Sequence, residues 1–74
     1  MAKRYRKGAW VCATRYGGTI AGRVIRVCNA GHVLTVELTD DSIRSIPAID
    51  CRPATLKDIG HSIKHLESVQ AQKN

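Results

Sequence analysis

The chain has 74 residues, a formal net charge of +6 and a pI of about 9.7. This length holds one domain, and such a domain buries only about 60% of the surface its unfolded chain exposes, so function is expected on a surface rather than in an enclosed site within one copy. Cys12, Cys28 and Cys51 are odd in number and widely spaced, no apolar signal stretch precedes them, and no run approaches the roughly 20 apolar residues of a membrane span; the expectation is a cytoplasmic, non-membrane protein with reduced thiols.

The positive charge is an N-terminal property. Residues 1–30 carry Lys3, Arg4, Arg6, Lys7, Arg15, Arg23 and Arg26 and no acid, whereas residues 31–74 carry five cations against six acids. This asymmetry predicts an anionic partner, either nucleic acid or an acidic protein surface; the plainer alternative is that the arginines only solubilise a small β-protein.

Residues 1–7 read as a flexible basic arm in which Tyr5 stands among Lys3, Arg4, Arg6 and Lys7, a set suited to clamping phosphates and stacking on a base. A first strand over residues 8–14 alternates Trp10, Cys12 and Thr14 against Val11 and Ala13, so either face could be the core. Trp10 is the only tryptophan of a chain without phenylalanine; its commoner fate in so thin a core is structural, the alternative an exposed binding platform. Arg15 and Tyr16 directly precede Gly17 and Gly18, which reads as a turn carrying a cation beside an aromatic.

A second strand over residues 19–28 breaks clean alternation, because Val24 and Val27 lie three apart. A bulge or bend near Gly22 would let this strand serve both sides of a small barrel and turn Arg23 and Arg26 outward. A turn at Asn29, Ala30 and Gly31 leads to the clearest strand, residues 32–38, with Leu34, Val36 and Leu38 on one face. A further turn through Asp40 and Asp41 precedes a short strand over residues 42–46, with Ile43 and Ile46 available to the core, and Pro47 ends it. Residues 47–53 read as a helical turn, anchored by Ile49, followed by a short extended piece.

From Pro53 the character changes. Thr55 can cap a helix with Asp58 in its first turn, and Leu56, Ile59, Ile63, Leu66 and then Val69 or Gln70 follow a helical spacing. A helix over residues 56–70 is therefore expected, weakened by about 1 kcal/mol at Gly60. Its apolar stripe seals one end of the barrel or, alternatively, docks on a partner.

No constellation points to catalysis or to a cofactor. His61 and His65 have the i, i+4 spacing of two metal ligands, but a structural zinc wants four and no CxxC or HExxH pattern supplies them, so no metal is expected. The glycine-rich segment around Gly17 to Gly22 lacks the lysine and Ser/Thr of a phosphate-binding loop, and Asp40-Asp41 is explained by a hairpin turn.

Lys7-Gly8, Val11, Gly18, Gly22, Val24, Val27, Val33 and Val36 together resemble the KOW motif of small SH3-like barrels in transcription elongation factors and ribosomal proteins. The likeness spans about 30 residues, moderately specific in spacing and weak in identity. It implies a mainly β fold, an SH3-like (KOW-like) barrel of four to five antiparallel strands over residues 8–53, with a C-terminal α-helix over residues 54–72 on the barrel or on a partner. Gly22 corresponds to the motif's characteristic glycine, and Arg15, Tyr16, Arg23 and Arg26 fall in its contact region. Two departures are the lack of an accompanying larger domain and the added helix.

A free-standing basic barrel also resembles the small, often phage-encoded factors that bind host RNA polymerase and alter elongation, termination or antitermination. The resulting expectation is a monomeric, non-enzymatic regulator of transcription. Its contacts with RNA polymerase or associated factors, and with RNA or DNA, would come from Lys3, Arg4, Tyr5, Arg6, Lys7, Arg15, Tyr16, Arg23 and Arg26. Stand-alone, non-specific RNA or DNA binding is the alternative. Plasmid-type dihydrofolate reductases share the architecture, and Ser45-Ile46-Pro47 lies where they carry substrate contacts, but their Gln-Ile-Tyr run is absent, which leaves an oligomeric enzyme remote. A chromatin-like duplex binder would spread lysines and apolar wedges over one sheet, and here the charge concentrates in the arm and second strand.

Overall fold

The computed structural model describes residues 5–15 and 17–73, with Arg15 and residues 70–73 described as backbone only. Five strands precede one helix: β1 (Trp10–Arg15), β2 (Gly18–Cys28), β3 (Val33–Leu38), β4 (Ile43–Pro47), β5 (Arg52–Pro53) and α1 (Leu56–Lys73). They form one antiparallel sheet in the order β4-β3-β2-β1-β5. Four consecutive strands pair as a meander, and the chain then passes through a 3-10 turn, Ala48–Asp50, to lay β5 on the free side of β1. This is the small SH3-like arrangement expected from the sequence, with the helix added at its C-terminal end.

Local chemistry sets the turns. Asn29, Ala30 and Gly31 take φ of 51°, 54° and 96° to reverse the chain between β2 and β3, a conformation tolerated by asparagine and glycine. Between β3 and β4 the Asp40 carboxylate accepts the Ser42 N–H at 3.0 Å and the Ser42 hydroxyl, an Asx-type turn.

The irregularity of β2 lies at Ile25, three residues beyond the expected position near Gly22. Val24 opposes Val36 and Arg26 opposes Thr35, which leaves Ile25 as the extra residue of a bulge. Gly22 instead permits a close approach of two strands. A Cβ there would stand 2.7 Å from Val36 Cγ1 and against the Glu37 carbonyl, so its missing side chain lets β2 and β3 close up.

The core is the concave face. Val11, Ala13, Ile20, Val24, Leu34, Val36, Leu38 and Ile46 fill it together with Ala48 and Cys51, and Tyr5, Ala9 and Leu66 pack at its margin. Two expected members are absent. Ile49 is 92% exposed, because the Ala48 N–H donates to the His32 carbonyl at 2.8 Å and fixes a turn in which Ala48 and Cys51 face inward. Ile43 is 58% exposed, because it pairs with Glu37 on the convex face, and a strand cannot point two residues three apart to one side without a bulge.

Helix α1 lies against β2, but not on its most apolar stripe. Leu56 is 88% exposed and Ile63 is also outward, while Asp58 and the fully buried Ser62 face the sheet. Polar anchors set this rotation. Asp58 accepts both guanidinium nitrogens of Arg52 at 3.1 Å each and the Thr55 N–H at 2.9 Å, while its own N–H donates to Thr55 Oγ1 at 3.2 Å, a reciprocal cap of the kind the sequence suggested. One turn on, the Ser62 hydroxyl accepts the Ala21 N–H at 2.8 Å.

Candidate functional site

The convex face of the sheet is divided. Cross-strand partners share a face, so Cys12 and Ala21 lie together on the side opposite Val11 and Ile20, yet both are buried. Their cover is α1, whose Asp58 stands close enough to Cys12 to influence its thiol and whose Ser62 bonds the Ala21 backbone. The next row along the same face is open: Trp10 opposes Arg23, Arg23 opposes Glu37, and Glu37 opposes Ile43.

The bulge extends this open half. Arg23 and Arg26 are an odd number of residues apart and would point to opposite faces of a regular strand. With Ile25 as the extra residue, Arg23 opposes Glu37 and Arg26 opposes Thr35, two same-face positions of β3, so both arginines project from the convex face. Both are exposed, and Trp10 beside them is 44% exposed.

The segment before β1 converges on the same end. The Gly8 N–H donates to the Val24 carbonyl at 2.7 Å and the Val24 N–H to the Ala9 carbonyl at 2.8 Å, which brings the exposed Arg6 and Lys7 alongside the bulge. Tyr5 is tied down: its hydroxyl donates to the Cys51 carbonyl at 3.0 Å and its ring packs on the core margin. Burial, with the Cys51 and Cys12 thiols adding to it, pushes the phenol up. The expected arm thus divides, with residues 5–7 held against the barrel and Lys3 and Arg4 outside the described residues.

Of the other candidates, Tyr16 lies outside the described residues. The Arg15 backbone pairs with Gly18 at the hairpin end of β1, five residues from Trp10 or about 17 Å along the strand. Of the two fates open to Trp10 in the sequence, the exposed one is found rather than the commoner structural one; the signal was its alternation with Cys12 and Thr14, which only the register resolves.

Burial pushes the Cys12 thiol up and Asp58 adds to that, against the opposing pull of Arg52. Among the described residues no three of His, Cys, Asp and Glu come together as a metal site. His61 is exposed, whereas His65 packs over Gly18, where a Cβ would collide with the imidazole, and its buried Nε2 has no hydrogen-bond partner. No helix among the described residues is long and apolar enough to cross a membrane.

No family model, curated protein or solved structure matches the chain.

Proposed function

We propose that the chain is a small basic binding protein without catalytic activity that regulates transcription in the cytoplasm, contacting RNA polymerase or the nucleic acid that the polymerase holds. One observation carries this reading: Arg23 and Arg26 project from the half of the convex face that the helix leaves uncovered, beside an exposed tryptophan, and the backbone leading from the exposed Arg6 and Lys7 joins β2 next to the Ile25 bulge. Such a patch attracts polyanions and acidic surfaces. The transcription context comes from the KOW-like spacing of Gly18, Gly22, Val24 and Val27, and the SH3-like meander is compatible with it.

The test is retention from a bacterial lysate on the tagged, full chain. Polymerase subunits are expected, and their loss is expected on a chain bearing Arg23→Glu and Arg26→Glu. Recovery of no polymerase, elongation factor or ribosomal component would sink the transcription reading.

A second reading, stand-alone nucleic-acid binding, is favoured by the position of Trp10 across from Arg23. It requires affinity to fall steeply with salt, because each neutralised phosphate releases counterions. A flat salt dependence would remove it.

A further inference from the structure

We infer that the open half of the convex face takes single-stranded nucleic acid, with one base stacked on the Trp10 indole and adjacent phosphates on Arg23 and Arg26. The inference rests on the binding reading above and names its ligand and pose.

The geometry of the strip argues for a strand rather than a generic anion. Trp10 stands directly across from Arg23, a separation of about 5 Å between Cβ atoms in an antiparallel pair. Arg26 follows on the same face, two positions further along the β3 register, or about 7 Å. An aromatic face followed by cations at roughly a nucleotide's spacing is how sequence-tolerant single-strand sites are built, since every base offers a π-face and every nucleotide a charge. Leaving a large ring 44% exposed is unfavourable in a chain with so thin a core, and stacking would bury it.

The surroundings set the track. Along the strands, toward the β1–β2 hairpin, the face is closed at Cys12 and Ala21, and on the β3 side Glu37 sits opposite Arg23, where its charge repels a phosphate. The remaining cationic path leads from Trp10 and Arg23 past the bulge to Arg26, so the backbone runs along β2 rather than across the sheet to β4. A duplex cannot use this site as built: its bases are already stacked, and the strip offers no helix or ribbon to enter a groove.

Fluorescence anisotropy with a labelled oligothymidylate of about ten nucleotides tests the pose, with a matched duplex and inorganic polyphosphate as competitors. The oligonucleotide is expected to bind and to quench the single tryptophan, with the duplex about tenfold weaker or worse. Trp10→Leu should weaken binding about tenfold and Trp10→Phe should recover most of it. Arg23→Gln with Arg26→Gln should reduce the salt slope by about 1.4, and Glu37→Gln should tighten binding.

Unchanged affinity in Trp10→Leu with unaltered circular dichroism, equal competition by polyphosphate, or preference for the duplex would each overturn the inference. If the wild-type chain retains polymerase from lysate but binds oligothymidylate without dependence on Trp10, the pose fails and the parent reading stands. If it retains neither, both fail.

Discussion

The Ser62 hydroxyl accepts the Ala21 N–H at 2.8 Å, one residue past the point where β3 stops supplying partners to β2. The β2–β3 ladder ends at Gly22 opposite Leu38, so the Ala21 N–H would be a buried, unpaired donor in the middle of the longest strand. A helix side chain completes the ladder. Thr39 joins the same junction, its N–H donating to the Ala21 carbonyl at 3.2 Å and its hydroxyl lying 3.1 Å from Ser62 Oγ.

Ser62→Ala should therefore cost about 1–3 kcal/mol, the range for stranding a buried donor. Thr39→Ala, which leaves the Ser62 bond in place, should cost about 1 kcal/mol or less. Urea titration of the two variants checks the order; equal midpoints would show that the serine does not complete the ladder.

Two glycines should separate by what stands over them. At Gly22 an added Cβ meets the Glu37 carbonyl and Val36, which cannot move without opening β2 from β3, so Gly22→Ala should cost about 3 kcal/mol. At Gly18 it meets the His65 imidazole, a side chain that can turn aside. Gly18→Ala should cost less, and combining it with His65→Ala should cost less than the two separate effects added together. Thermal unfolding of the four variants reads both statements.

Acid should release α1 from its start. The Arg52 guanidinium, then the Thr55 N–H and hydroxyl, hold the Asp58 carboxyl well below the usual carboxylate range, against a smaller opposing effect of burial. A folded-state value below the unfolded one, about 3.9, means that this contribution is fully present above that pH and is lost as pH falls toward the folded value. The melting temperature of the wild type should thus decline below about pH 4 more steeply than that of Asp58→Asn, which should already be less stable at neutral pH. Parallel profiles would show that Asp58 does not supply this linkage.

The three thiols should react unequally. Cys12 and Cys51 are buried, the Cys51 Sγ lies 3.6 Å from the Pro47 carbonyl, and burial pushes the Cys12 thiol up, whereas Cys28 is half-exposed at the end of β2. Iodoacetamide on the folded chain should modify Cys28 alone by mass spectrometry, and all three in urea. Early labelling of Cys12 would show that the start of α1 does not stay beside it.

The strands were readable from local signals. The three-residue step from Val24 to Val27 announced a bulge that lies three residues beyond Gly22, whereas turn residues at Asn29 to Gly31 and at Asp40-Asp41 and alternation in β3 each act over a few residues and led to an element within a residue or two of its place. The same holds for the 3-10 turn, for β5 and for the Thr55 cap with Asp58. The start of α1 was legible for this reason, and its end extended to Lys73 rather than residue 70.

Sequence by itself thus determined the succession of strands and turns, the place of the helix and the concentration of cations in the first thirty residues, because propensity, turn chemistry and charge are properties of neighbours along the chain. Tertiary structure alone decided which face each element shows. The bulge that the sequence suggested near Gly22 settled at Ile25 and put Arg23 and Arg26 on one side, and the bonds from Asp58 to Arg52 and from Ser62 to Ala21 turned α1 so that Leu56 and Ile63 face solvent. The same helix buried Cys12 and left Trp10 open on one strand face. Those choices depend on partners tens of residues away, and a period-two or period-3.6 pattern is silent about which of its faces finds them.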